Sequence, residues 1–452
     1  MPQRPNIVML VPHDLGTHCG CYGAAVETPN IDGLAADGVR FTRYHCSAPQ
    51  CSPSRGSIST GRYPHTSGLV GLTHLGWEID EDIPTLQQRM RAAGYSTHLF
   101  GVQHETRRGD DPPAALGYDE SFPTKGRAPE LAEDFAGWLG ERSGDDGPFF
   151  ASIGTREPHR AFPLEGPEVD APEDVEPLPW LPDREGIRRD IGGLNALTRR
   201  LDEGVGIVRE AIERSDFAEN TLIVMTCDHG VAMPRAKGTC YRPGTLTTLI
   251  VRMPGRWDDG SSREALLSNC DLMPTLMEMI GEPVGEDEVD GRSFLGLLDG
   301  VAWEPHEQIF TEMTYHAMYT PMRCLRTERY AYIRNFGELP LVHLPGDIFN
   351  SPSGEEMRDE YYGEARPREE LYDVERDPWE YENLAGDAEY AELLCDLGGR
   401  MDRWMEATGD LLLEGRWPAN PMLIERMRER SRDEDYVEWF EYCWPEQTWF
   451  LR

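Results

Sequence analysis

Two short apolar runs in this chain end the same way. Asn6 to Pro12 leads into His13-Asp14-Leu15-Gly16, and Leu222 to Thr226 leads into Cys227-Asp228-His229-Gly230. Runs that are apolar at nearly every position, not at every second one, suit strands buried on both faces, as in parallel sheets covered by helices. Ser96 to Phe100, Pro148 to Ile153 and Leu249 to Met253 read likewise, with Phe41 to His45 as a further strand. Between them lie helical segments. One is capped by Thr28 and has Ile31, Leu34 and Val39 as apolar positions. One opens at Pro53, an amphipathic one covers Thr85 to Ala93, and a long one covers Ile191 to Arg214. Strands alternating with helices predict an α/β fold, with a large mixed, mostly parallel sheet sandwiched by helices. Such sheets bind ligands in loops at the carboxyl ends of strands. Asp14 and Asp228 stand at two such places.

Phe162 to Asp190 is rich in Pro and acids without periodicity and reads as a surface loop. After about Tyr319 the pattern changes. Met322 to Asn335 alternates as antiparallel strands do, Glu369 to Asp373 is a short strand, and Ala388 to Thr408 a helix. The expected organisation is a catalytic domain over 1–318 and a smaller α+β domain with an antiparallel sheet over 319–452. The tail carries Trp439, Phe440, Trp444, Trp449 and Phe450. These would pack on the body or on a second subunit, which leaves an oligomer open.

The formal net charge is −37. A surface of that sign repels nucleic acid and anionic membranes, so neither is an expected partner. No run approaches the ~20 apolar residues a membrane span needs, and the first residues lack a signal-peptide core. The expected location is cytoplasmic. The basic residues are almost all Arg; Lys125 and Lys237 are the only lysines. The ten cysteines form no repeated CxxC pairs and read mostly as free thiols.

Cys51-Ser-Pro-Ser-Arg55 puts a thiol just before a helix start, with an Arg one turn on. Helix N-termini favour negative charge, and Arg55 adds to that. By local physics alone a small buried Cys before a Pro-started helix is the stronger reading. The pentapeptide, however, resembles the C-x-P-x-R signature of the type I sulfatases of the alkaline phosphatase superfamily. Further stretches resemble that family in order along almost the whole chain. Pro5 to Gly16 is similar to its first strand and metal loop, and Thr226 to Gly230 to its second metal loop. Phe100-Gly-Val-Gln-His104 is similar to its Gly-Lys-x-His segment, Glu157-Pro-His-Arg-Ala-Phe-Pro163 to its Pro-His loop, and the segment around Lys237 to its basic residue after the second metal loop. Glu370 to Pro378 is similar to a C-terminal stretch. Cys51 to Arg55, the loop at His159, Tyr241-x-Pro-Gly-Thr245 and Tyr319-Thr-Pro-Met-Arg323 resemble sulfamidase-like members of the family.

The resemblance implies that Cys51 is oxidised to formylglycine by a formylglycine-generating enzyme. It implies Asp14, Asp228 and His229, with His13, as ligands of a divalent metal, and Arg55, His104, His159 and Lys237 as the catalytic groups. The family's ion is calcium. Imidazole ligands move preference towards manganese or zinc. Two departures stand out: His13 replaces one of two adjacent acids, and Val102 stands where a sulfate-binding Lys is expected. Arg107 or Arg108 is a candidate for the missing charge. His316 is placed to line the pocket from the domain junction. In the implied reaction one hydroxyl of a hydrated aldehyde attacks sulfur, and removing the other hydroxyl's proton, with His104 as base, expels sulfate. Arg55 would hold the diol; Lys237 and His159 would balance charge on the sulfate and the departing atom. The expected substrate is a small anionic sulfate ester or sulfamate. The alternatives are a phosphonate monoester or phosphodiester hydrolase of the same superfamily and a non-catalytic binder of sulfated glycans.

Overall fold

A computed structural model describes residues 4–122, 126–316 and 318–433, and the single positions 437, 440 and 447. Fourteen strands are present among the described residues: β1 (Asn6–Val11), β2 (Val39–Phe41), β3 (Tyr44–His45), β4 (Ser96–Gly101), β5 (Glu120–Phe122), β6 (Phe149–Gly154), β7 (Thr221–Thr226), β8 (Leu249–Arg252), β9 (Ser261–Arg263), β10 (Leu267–Ser268), β11 (Ile309–Tyr315), β12 (Tyr319–Arg326), β13 (Tyr330–Asn335) and β14 (Glu369–Asp373). Eight form one sheet in the order β5-β4-β6-β1-β7-β8-β2-β9. Strands β5 to β7 in that order are parallel, β8 runs antiparallel to β7 and β2, and β9 is parallel to β2. The expected α/β architecture is the observed one.

Strand geometry explains the continuous apolar runs. Along β1, Val8 and Leu10 join the core beneath helix α1 (Pro29–Ala36) and the Ala128–Gly140 and Glu185–Glu213 helices. Ile7, Met9 and Val11 join the opposite core, with Ile58 of α2 (Cys51–Thr60), Leu86, Met90 and Leu272. Successive side chains point to opposite faces, so a strand covered on both must be apolar throughout.

Three local expectations are corrected. The long helix begins at Glu185, inside the stretch read as loop. Gly186, Gly192 and Gly193 lower its helix propensity and hide its first turns. The glycines are needed there: a Cβ on Gly192 or Gly193 would lie 2.3 or 2.2 Å from the carbonyl oxygen of Asp170 or Pro163. The segment read as one strand over Phe41 to His45 is two short strands, β2 and β3. Val39, read as a helical position, lies in β2; Thr28 is the N-cap of α1 as expected, although its hydroxyl donates to Asp32 at 2.9 Å and accepts from the Gly20 N–H instead of capping the helix backbone.

Strands β11 to β14 form a separate antiparallel sheet. Its first hairpin spans Ile309 to Arg326, so a division at 318/319 passes through that hairpin. Of the tail aromatics, Phe440 is fully buried. Trp439, Trp444, Trp449 and Phe450 lie outside the described residues. Gln447 exchanges two hydrogen bonds with the Tyr319 backbone. No described helix is long and apolar enough to cross a membrane.

Candidate active site

Four neighbouring parallel strands, β4, β6, β1 and β7, each deliver one loop to the same end of the sheet. The loop after β1 carries His13 and Asp14, that after β4 carries His104, that after β6 carries His159, and that after β7 carries Asp228 and His229. Parallel strands bring residues far apart in the chain to one edge because every strand ends there. The first and last of these loops touch. The Gly16 N–H donates to the His229 carbonyl at 2.9 Å, and a Cβ at Gly16 would stand 3.1 Å from Gly230 Cα. Asp14 itself has φ of 55°, a costly value for a side-chain-bearing residue that turns its carboxylate inward.

Helix α2 brings Cys51 and Arg55 to this edge. Cys51 lies within the helix as its first residue, with Gln50 as N-cap. The whole helix is buried. Ser54 Oγ donates to the Asp228 carbonyl, and Asn269 Nδ2 donates to Ser54 Oγ at 2.9 Å, which fixes α2 against the loop after β7.

His13, Asp14, Cys51 and Asp228 each offer one ligand atom, and the four lie within 4.8 Å of one another. His229 Nε2 is 3.1 Å from Asp14 Oδ1 and 3.4 Å from Cys51 Sγ. His13 Nδ1 is 3.3 Å from Asp228 Oδ2, yet neither ring nitrogen of this buried imidazole makes a hydrogen bond. Arg55 Nε donates to Asp228 Oδ2 at 3.2 Å, and its Nη2 to the Val11 carbonyl at 3.0 Å. Lys237 Nζ donates to Asp14 Oδ2 at 2.7 Å and lies 3.2 Å from His159 Nε2. The His104 ring is 4.7 Å from that of His13, and His104 is exposed. All nine residues singled out from the sequence therefore converge.

Burial alone would raise the Cys51 thiol. The Lys237 and His229 charges, with the neighbouring His104 and His13 imidazoles, outweigh it and hold the thiol well below its usual range. Burial and the Arg55 charge push His13 down to about 4, so it is a neutral imidazole with a free lone pair. Burial would lower His159, but the Asp14 carboxylate lifts it to about 9. Asp14 is held far below the ordinary carboxylate range, against burial, by His159 and Lys237.

Sequence reasoning missed Asp347, whose Oδ2 accepts from Lys237 Nζ at 3.0 Å. It stands on the short helix Gly346–Phe349 beyond the small sheet's third strand, with no motif around it. His316 is buried with Nδ1 unpartnered; burial, then Lys237, lower it to about 4. Arg108 does not fill the gap at Val102. It donates to the Ile79 carbonyl and faces Glu81. The Arg107 guanidinium makes no hydrogen bond or ion pair among the described residues.

A buried cluster of carboxylates and imidazoles gathers around Cys51 at the carboxyl edge of a parallel sheet, a donor set that could hold a metal ion. A sequence model of the sulfatase family matches residues 5–282. The chain belongs to the sulfatase family and is a sulfuric ester hydrolase. An ulvan-active sulfatase of Formosa agariphila is 30% identical, over 91% of this chain and 82% of its own. The N-sulphoglucosamine sulphohydrolase of Homo sapiens is 27% identical, over 90% of this chain and 91% of its own. In fold, the chain is similar to a phosphonate monoester hydrolase of Agrobacterium radiobacter, with TM-score 0.69 and 22% identity over 90% of this chain and 96% of that one.

Proposed function

We propose that this sulfatase hydrolyses a sulfate ester or sulfamate on a sugar, using formylglycine made from Cys51 by a formylglycine-generating enzyme and a divalent cation. The observation that carries this is the position of Cys51 Sγ. It lies 3.8 Å from Asp14 Oδ1 and 3.4 Å from His229 Nε2, so the residue that would be oxidised sits at the cation ligands. The substrate class is supported by the ulvan-active and N-sulphoglucosamine relatives.

The donor set fits a metal: the Asp14 and Asp228 carboxylates and the orphaned nitrogens of His13 lie together beside Cys51, and His229 Nε2 would join them from 3.1 Å off Asp14 Oδ1. Two imidazoles beside two carboxylates suit manganese or zinc better than calcium, which prefers oxygen. When bound, the cation would lower the pKa of the nucleophilic oxygen and offset charge on the sulfate. Arg55, held by Asp228 and the Val11 carbonyl, orients the modified residue. Lys237 and His159 face the sulfate as cations. His104, exposed at the mouth, takes the proton whose loss releases sulfate.

The test is mass spectrometry of the tryptic peptide Tyr44 to Arg55 after thiol alkylation, on protein made with the maturation enzyme. Cys46, buried and in the same peptide, is the internal control. The expected result is an aldehyde or its hydrate at Cys51 and an alkylated Cys46; alkylation of both would overturn the proposal. Metal analysis after dialysis against calcium, manganese and zinc together should return manganese or zinc. The nitrogen-rich donor set also favours a second reading, a phosphonate monoester hydrolase. Faster turnover of an aryl phosphonate than of an aryl sulfate would select it.

A further inference from the structure

Three arginines gather in a cleft of about 180 Å³ between the two sheets. Arg43 follows β2, Arg242 opens the Arg242–Thr245 turn, and Arg326 ends β12. Arg326 is buried; Nη1 donates to Glu380 Oε1 at 2.6 Å, while Nη2 has no partner. Glu380 is already shared, since Oε2 accepts from the Arg242 N–H at 2.8 Å. The guanidiniums of Arg43 and Arg242 make no hydrogen bond or ion pair among the described residues. Two acids, Glu328 and Glu375, stand exposed at the rim, and Glu375 faces Arg329 at 3.7 Å. Three cations around one buried carboxylate repel one another, and an unpaired buried guanidinium nitrogen is costly. Burial and then Arg326 lower Arg242, and burial followed by these three arginines holds His45 well below its usual range, as crowded positive charge requires. In a chain of net charge −37, such a cluster has the chemistry of an oxyanion receptor.

A second cleft, of about 190 Å³, adjoins the first through Arg242 and Leu246. Its walls are aromatic. Trp180 and Trp379 lie 5.3 Å apart at 40°, and Arg242 Cζ stands 5.5 Å from the Trp379 ring. Tyr22 also lines it. An apolar ring wall beside a cationic cleft suits a sugar ring bearing a charged substituent. None of the nine residues that converge around Cys51 lines either cleft.

We propose that the two clefts form a secondary binding site for a sulfated oligosaccharide, with a sulfate among Arg43, Arg242 and Arg326 and a sugar ring on Trp379 and Trp180. The choice of sulfate among oxyanions rests on the proposed function; the existence of an oxyanion site does not. Such a site would hold a sulfated chain on the enzyme while the Cys51 site acts on another unit of it.

The test is calorimetric titration of the full-length Cys51→Ala variant, which cannot turn over, with a heparin-type tetrasaccharide, inorganic sulfate and inorganic phosphate. The tetrasaccharide should bind in two classes of site. Adding R43Q and R242Q should weaken one class by about tenfold or more, the loss expected for charge-assisted contacts. W379A should weaken the tetrasaccharide at that site and leave inorganic sulfate unaffected. The matured R43Q/R242Q enzyme should hydrolyse para-nitrophenyl sulfate within about twofold of the unaltered rate, since neither residue touches the reacting atoms. Titrations unchanged by R43Q/R242Q would overturn the site. Inorganic phosphate binding there without the tetrasaccharide would overturn the sulfated-sugar assignment. Because binding is read without turnover, failure to find formylglycine at Cys51 would leave this test intact.

Discussion

Lys237 holds together three groups that the chain keeps far apart. Its ammonium donates to Asp14 and to Asp347, 110 residues on, and lies 3.2 Å from His159. In the proposed mechanism this ammonium would offset charge as the ester bond breaks, and loss of one such preorganised group lowers kcat by ~100-fold or more. Steady-state kinetics of Lys237→Ala on an aryl sulfate should read that loss, with little change in KM. At His13 the expected effect is on metal retention. His13→Ala removes a buried imidazole whose ring nitrogens make no hydrogen bond, so metal content should fall about tenfold or more at equal free metal, as when ligand-shell residues are lost. Cys51, Asp14, Asp228 and Lys237 were legible because each stands in a short motif or, for Lys237, is rare in the chain. Asp347 was not, because an isolated Asp on a short helix carries no local pattern.

A buried ion pair ties β12 of the small sheet to Asp410. Arg323 on β12 is fully buried; its Nε and Nη2 meet Asp410 at 2.6 and 3.0 Å, with Glu312 3.4 Å from Nε. Removing one partner of a buried pair leaves an uncompensated charge. Asp410→Ala should therefore cost about 3 kcal/mol in denaturant unfolding, the low end because Glu312 remains. The pH dependence follows from the same pair. Burial would raise the Asp410 carboxyl, but Arg323 holds it below its ordinary value. Its contribution is thus complete above about pH 4 and is lost as pH falls through the lowered value. Thermal melts should show a steeper acid decline for the unaltered protein than for Asp410→Asn. Elements were legible where one period ran unbroken, as in β7 and β14. The first turns of the Glu185–Glu213 helix were hidden, because the glycines that admit the neighbouring loop also weaken the helical pattern.

At the scale of the molecule, the −37 charge sets a repulsive field around a site that takes an anion. Raising ionic strength shortens the Debye length from ~30 Å at 0.01 M to ~8 Å at 0.15 M. The kcat/KM of a multiply sulfated substrate should therefore rise with salt by a few-fold, and that of a monosulfated one by less. An unchanged or falling ratio would mean that local cations outweigh the global field. The sequence by itself determined the sheet type, the order of the site loops and most of the site's residue types, because apolar periodicity and short motifs are local. Only the tertiary structure decided which of four strand ends meet, that His13 is buried without a hydrogen bond, and that Asp347 reaches Lys237. It alone brought Arg43, Arg242 and Arg326 into one cleft. Those facts depend on which strands become neighbours and how the two sheets pack, and long-range packing leaves no periodic trace in the chain.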